Sequence, residues 1–155
     1  MRDILTGGCQ CGAIRFRVLG AISHQAICHC RMCQKAVGSI SWPFFTVATD
    51  DLEWSRGLPA SYRSSEAAER GFCSRCGTPL TFKAVGSDQI DISIGSLDNP
   101  AKVEPNGQHW TSSKVPWFDT QPHLPSISST ASPEEILNRR PHQHPDHDTT
   151  EWPFP

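Results

Sequence analysis

Cys28-His29-Cys30-Arg31-Met32-Cys33 places three thiols within six residues, and the other four of the chain's seven cysteines stand in Cys9-Gln10-Cys11 and Cys73-Ser74-Arg75-Cys76. Every cysteine therefore lies in a short cluster, and none is scattered through an apolar run. Residues one or three apart converge on one ion with little loop-closure cost, and zinc-thiolate bonds of about 2.3 Å in a tetrahedral array suit such knuckles. Gly77, directly after Cys76, is read as letting the backbone turn beneath a metal where a Cβ would collide.

Seven is an odd number, and four plus three is its natural partition. Two pairs from distant parts of the chain, Cys9 and Cys11 with Cys73 and Cys76, make a closed four-thiolate site of the structural zinc kind. Cys28, Cys30 and Cys33 then supply three ligands and leave a fourth position for a substrate, the pattern of catalytic zinc. Three other readings compete. A redox C-x-x-C expects a βαβ context and a single pair. A disulfide framework is disfavoured by the odd count and by the absence of a secretory signal. A single zinc ribbon with spare buried thiols is the third, and the two-metal reading is preferred to it.

The length of 155 residues fits one domain with a real core. We place that domain at residues 1–127 and a Pro- and His-rich tail at 128–155. No run of about 18 apolar residues exists to span a membrane. The first residues lack an apolar signal region, which points to the cytoplasm, where thiols stay reduced. The formal net charge is -2, and seven thiolates on two Zn²⁺ move it to about -5. Phosphate binding needs a basic stripe, so nucleic acid is not expected as a partner. Nothing in the sequence specifies an oligomeric state.

Ala13 to Val18 alternates apolar and basic residues and reads as a half-buried strand beginning at the first knuckle. Gln25 to Cys28 is a second short strand. Extended backbone there turns Cys28 and Cys30 one way and His29 the other, which argues against His29 as a fourth ligand. Arg31 to Val37 reads as a turn of helix ended by Gly38, with N-H groups facing the thiolates. Ser39 to Val47 is a strand in which Pro43 marks an edge or a bulge, and Trp42, Phe44 or Phe45 could wall a substrate pocket. Short strands follow at 52–54, 61–63 and 70–72, then a hairpin of 79–83 with 89–94 through Gly86. Gln108 to Thr111 reads as a further strand, and Lys114-Val115-Pro116-Trp117-Phe118 as a last apolar anchor. Past residue 128 the chain is too polar and Pro-rich to bury a core and is expected to be disordered or laid along the surface, with Pro133 to Leu137 as one helical turn. His142, His144 and His147 offer a loose metal site, and the preferred reading is that they are solvated.

Gly8-Cys9-Gln10-Cys11-Gly12, Cys28 to Lys35, Phe72-Cys73-Ser74-Arg75-Cys76-Gly77, and His109 with Ser113-Lys114-Val115-Pro116-Trp117 together resemble the glutathione-dependent formaldehyde-activating enzyme family. The resemblance covers residues 7–125, and all seven cysteines match in order. It implies a mainly β, β-tent type zinc-binding fold of short antiparallel strands with little helix. It also implies two Zn²⁺ per chain, one structural at Cys9, Cys11, Cys73 and Cys76 and one catalytic at Cys28, Cys30 and Cys33. The implied activity is that of a carbon-sulfur lyase, formation of S-(hydroxymethyl)glutathione from glutathione and formaldehyde or chemistry on a related thiol adduct. His109 is the candidate protonation partner, with Lys114, Trp117 and Phe44 as candidate substrate contacts and Arg31 and Lys35 as further cations for glutathione's carboxylates. The competing class is a non-enzymatic zinc scaffold that binds a partner protein. A protein residue filling the fourth metal position would favour that scaffold, and an exchangeable small ligand would favour chemistry.

Overall fold

The computed structural model describes residues 4–127, 131–139 and 141–152. In chain order the elements are β1 Leu5–Gly8, β2 Arg15–Val18, β3 His24–Cys28, α1 Arg31–Val37, β4 Trp42–Ala48, β5 Leu52–Arg56, β6 Ala60–Ser65, β7 Ala68–Phe72, β8 Pro79–Ala84, β9 Gln89–Ser93, β10 Gly107–His109 and α2 Pro133–Asn138. The fold is mainly β, as the sequence predicts. A three-stranded sheet has the order β1-β2-β5, and a seven-stranded sheet the order β10-β3-β4-β9-β8-β7-β6.

The central strand β4 explains how the core and the site are kept apart. Successive side chains of a strand point to opposite faces. Phe45 and Val47 of β4 therefore enter the main core with Phe16, Val18, Leu80, Ile90 and Ile92. Trp42 and Phe44 enter a second, smaller cluster with Ala26, Cys28 and Cys33. Trp54 meets Phe16 edge-on at 5.9 Å, closing the small sheet over the main core. Phe16 and Phe45 are fully buried, each a contribution of about 1.5–3 kcal/mol by area.

β4 is an interior strand in continuous register with β3, neither the edge nor the bulge that Pro43 suggested. Its register with β9 begins at Phe44 opposite Ser93, while Pro43 faces only Ile27 of β3. The missing N-H thus falls where β4 has a single partner. β1 escaped the sequence reading because Leu5-Thr6-Gly7-Gly8 carries little β propensity. Its antiparallel pairing with β2 is what forms it.

The strand expected over 108–111 ends at His109, because Trp110 turns into the left-handed region at φ 55. β10 runs parallel to β3, with His109 opposite Cys28. This long-range pairing carries the end of the domain to the central cysteine cluster. The expected apolar anchor at 114–118 rests on Phe118, whose ring stands edge-on to buried His29 at 4.6 Å, while Trp117 stays exposed.

The tail segment 141–152 is laid along the surface of the domain. Arg15 Nη2 donates to Asp148 Oδ1 at 3.0 Å and Arg17 Nε to Asp148 Oδ2 at 2.9 Å. The Arg56 guanidinium donates to the Thr149 carbonyl, and Trp152 Nε1 donates to the Cys11 carbonyl at 2.8 Å. His144, read from the sequence as solvated, is buried. Its ring lies where a Cβ on Gly12 would come within 2.3 Å of it, so a larger residue there would displace it. Residues 128–130, 140 and 153–155, also assigned to the tail, lie outside the described residues.

Candidate metal centre and adjoining pocket

The four sulfurs of Cys9, Cys11, Cys73 and Cys76 all lie within 4.8 Å of one another. Cys9 Sγ is 3.6 Å from Cys11 Sγ, and Cys11 Sγ is 3.9 Å from Cys73 Sγ. A tetrahedron of thiolates on zinc has edges of about 3.8 Å, so the donor set and its spacing fit the ion. Each knuckle is shaped by its backbone. The Ile14 N-H donates to Cys9 Sγ at 3.3 Å, and Gly77 N-H donates to the Cys73 carbonyl at 2.8 Å. Gly77 sits at φ 80, and nothing lies within 4 Å of a Cβ built there. Its requirement is thus the left-handed backbone and not the steric collision that the sequence suggested.

Cys28, Cys30 and Cys33 likewise fall within 4.8 Å of one another, and among the described residues no His, Cys, Asp or Glu joins them as a fourth ligand. β3 delivers Cys28 at its last position. Cys30 is the N-cap of α1, and its Sγ accepts the Cys33 N-H at 3.3 Å. Gly38 ends the helix at φ 64 with its N-H on the Gln34 carbonyl. Gln34 fixes the helix from beneath, its Nε2 donating to the His29 carbonyl at 2.7 Å and to the Ser113 carbonyl at 3.1 Å. His29 is turned away from the sulfurs as extended backbone requires, with Nε2 2.9 Å from Gln108 Oε1.

The protonation balance of these thiols follows their surroundings. Burial pushes Cys28 up to about 12 and raises Cys33, the latter against the pull of Arg70. Burial also acts on Cys30 but is outweighed by the Cys33 N-H and neighbouring donors, so its value falls. In the other cluster burial raises Cys9 and Cys11, whereas at Cys76 it is outweighed by the Thr78 hydroxyl and the value drops to about 6. Buried sulfurs that resist ionisation hold protons which an arriving cation must displace.

A cavity of about 550 Å³ opens onto the three-cysteine cluster. Trp42 and Phe44 stack along one wall at 5.0 Å and 19°, and Phe82 and Trp110 complete the apolar lining. Arg70 crosses from β7, donating through Nη2 to Cys33 Sγ at 3.3 Å while its guanidinium lies 4.9 Å from the Phe82 ring and 5.7 Å from Trp42. Opposite, His109 Nε2 lies 2.8 Å from His24 Nε2, so one ring donates to the other. Thr46 Oγ1 donates to Asp91 Oδ1 at 2.6 Å, and burial raises the Asp91 carboxyl above its ordinary value.

The site residues read from the sequence are thus partly assembled. The three cysteines, His109 and Phe44 share this cavity. Lys114 and Trp117 do not line it: Lys114 Nζ pairs with Asp119 Oδ2 at 2.7 Å, and Trp117 is exposed. Arg31 donates to Gln34 Oε1 at 2.7 Å, and Lys35 lines a neighbouring cavity. Sequence reading missed Arg70, His24, Asp91 and Trp110. Each sits in an ordinary strand or turn, and only strand pairing across the large sheet brings them to the cysteines.

Residues 4–113 match the family described as "Glutathione-dependent formaldehyde-activating enzyme". A Halomonas elongata protein named "Putative glutathione-dependent formaldehyde-activating enzyme" is 32% identical over 144 residues, covering 86% of this chain and 92% of the relative. An uncharacterised lyase of Schizosaccharomyces pombe is 32% identical over 76 residues, 49% of this chain and 55% of that protein. A crystal structure of a Rhodobacter sphaeroides protein shares the fold with a TM-score of 0.53 at 22% identity, covering 66% of this chain and 98% of the other. No helix among the described residues is long and apolar enough to cross a membrane.

Proposed function

Because the chain belongs to the glutathione-dependent formaldehyde-activating enzyme family, we propose that it is a zinc-dependent carbon-sulfur lyase that makes and breaks the adduct between glutathione, or a related thiol, and an aldehyde. Cys28, Cys30 and Cys33 would hold the catalytic zinc, and Cys9, Cys11, Cys73 and Cys76 a structural one. The observation that carries the reading is the three-sulfur cluster at a cavity of about 550 Å³ with no fourth protein ligand among the described residues. A zinc ion bound there would supply one open position for a soft ligand and lower the pKa of a thiol that occupies it.

The remaining steps fall to the chain's own side chains. Three thiolates exceed the charge of one Zn²⁺ by one, and Arg70 beside Cys33 offsets that surplus. Trp42, Phe44 and Phe82 would give the reacting carbon an apolar wall. When the thiolate sulfur adds to the aldehyde, the C-S bond forms and the carbonyl π electrons move to oxygen. His109, with its Nε2 2.8 Å from His24 Nε2, would release a proton to that oxygen as the hydrogen bond between the rings opens. The reverse reaction returns the proton to the ring and breaks the C-S bond, which is the lyase direction.

Formaldehyde-glutathione exchange, measured by two-dimensional exchange NMR together with zinc content per chain, tests this. Cys30→Ser is expected to retain the metal of the four-cysteine site and to lose the exchange above the uncatalysed background. Equal rates for the variant and the wild type would remove the catalytic assignment.

A further inference from the structure

A second cavity, also of about 550 Å³, adjoins the first, and Met32, Trp42 and Arg70 line both. The two are therefore neighbouring chambers that meet at these three residues. Val37, Phe72, Pro79 and Leu80 make the second chamber's walls apolar. Its polar side chains are Lys35, Tyr62, Ser64, Arg70 and Thr81, with the Trp42 Nε1 buried and without a partner among the described residues. Arg70 is engaged with Cys33, and the Ser64 hydroxyl donates to the Ala68 carbonyl. Lys35 and Tyr62 stand at the exposed rim. No Asp or Glu lines it.

Glutathione carries two carboxylates, an ammonium and two amides, and such groups lose hydrogen bonds to water in an apolar chamber. Formaldehyde has only hydrogens on its carbon and needs no chamber at all. From the proposed thiol-adduct chemistry, on which this rests, we infer that the second cavity seats an apolar aryl or branched-alkyl substituent on the carbonyl half of the adduct. The substrate class is then an adduct between a thiol such as glutathione and a carbonyl compound bulkier than formaldehyde. The substituent would reach the second cavity over the boundary that the two share, where Met32, 63% exposed, is a flexible side chain.

Calorimetric titration of the zinc-loaded full chain with S-methylglutathione and S-benzylglutathione tests this, since both are stable and differ only in the group offered to the cavity. S-benzylglutathione is expected to bind about tenfold tighter or more, as burial of a phenyl ring in an apolar pocket would give. Ala36→Trp, which fills the second cavity from the exposed face of α1, is expected to reduce that preference to about twofold while S-methylglutathione binding and zinc content stay as in the wild type. Equal affinity of the two ligands for the wild type overturns the proposal. So does an Ala36→Trp variant that weakens both ligands alike, which would make the cavity the seat of the thiol itself. If S-methylglutathione fails to bind at all, the thiol-adduct reading falls and this inference with it.

Discussion

Arg70 Nη2 lies 3.3 Å from Cys33 Sγ, a buried guanidinium donating to a sulfur of the open cluster. The two residues belong to β7 and α1, and the contact is made over the Trp42 and Phe82 rings, which meet edge-on at 6.4 Å. A cation fixed there favours ionised sulfur. A donor to a ligand sulfur is also the kind of outer contact that tunes metal affinity.

Arg70→Met keeps much of the side-chain volume and removes the charge. Zinc affinity of the three-cysteine site is expected to fall by about 10–100-fold, while the four-cysteine site is unchanged. Competition with a graded series of chelators resolves the two sites. An unaltered weaker site would show that the Arg70 contact is packing alone.

The His24 and His109 pair is expected to act as a unit. His24→Gln and His109→Gln should each slow adduct exchange by about 10–100-fold, within the span of general acid-base effects. The double variant should be little slower than either single one, because each substitution already breaks the shared hydrogen bond. Exchange rates at matched zinc content check this. Multiplying losses would show that the rings act separately.

Asp148 ties the tail to the domain through two arginines. Burial alone would raise its carboxyl, but the Arg15 and Arg17 guanidiniums outweigh that and hold it below its ordinary 3.8. A depressed carboxyl contributes stability that is present above 3.8 and is lost as pH falls through the folded-state value. Asp148→Asn is expected to cost about 1 kcal/mol at pH 7, a figure discounted for the partial exposure of the Arg17 and Asp148 side chains. The difference from the wild type should vanish as acidification below 3.8 protonates the carboxylate. Denaturant titrations at several pH values test it, with a constant difference as the contrary result. Limited proteolysis should show cleavage in 141–152 first, since that segment is held by side chains and by the His144 N-H on the Gln10 carbonyl, and not by a sheet.

The cysteine partition and the helix between Arg31 and Gly38 were legible in the linear chain because they depend on near neighbours. Ligands one and three residues apart must meet, and a residue at φ 64 after a helical turn is best supplied by glycine. Strand alternation placed most of the sheet for the same reason, and it turned His29 away from the cluster. The surroundings of the open cluster obeyed a different rule. Arg70, His24 and Asp91 lie far apart in sequence, and they share a cavity because β3 pairs with β4, β4 with β9, β9 with β8, and β8 with β7. Lys114 and Trp117 sit close to His109 in sequence yet do not line the cavity, since the left-handed turn at Trp110 carries the chain away. Local spacing thus fixed where metal can be held, while the charges and rings that face it were set by strand register across the large sheet, which couples residues without regard to their distance along the chain.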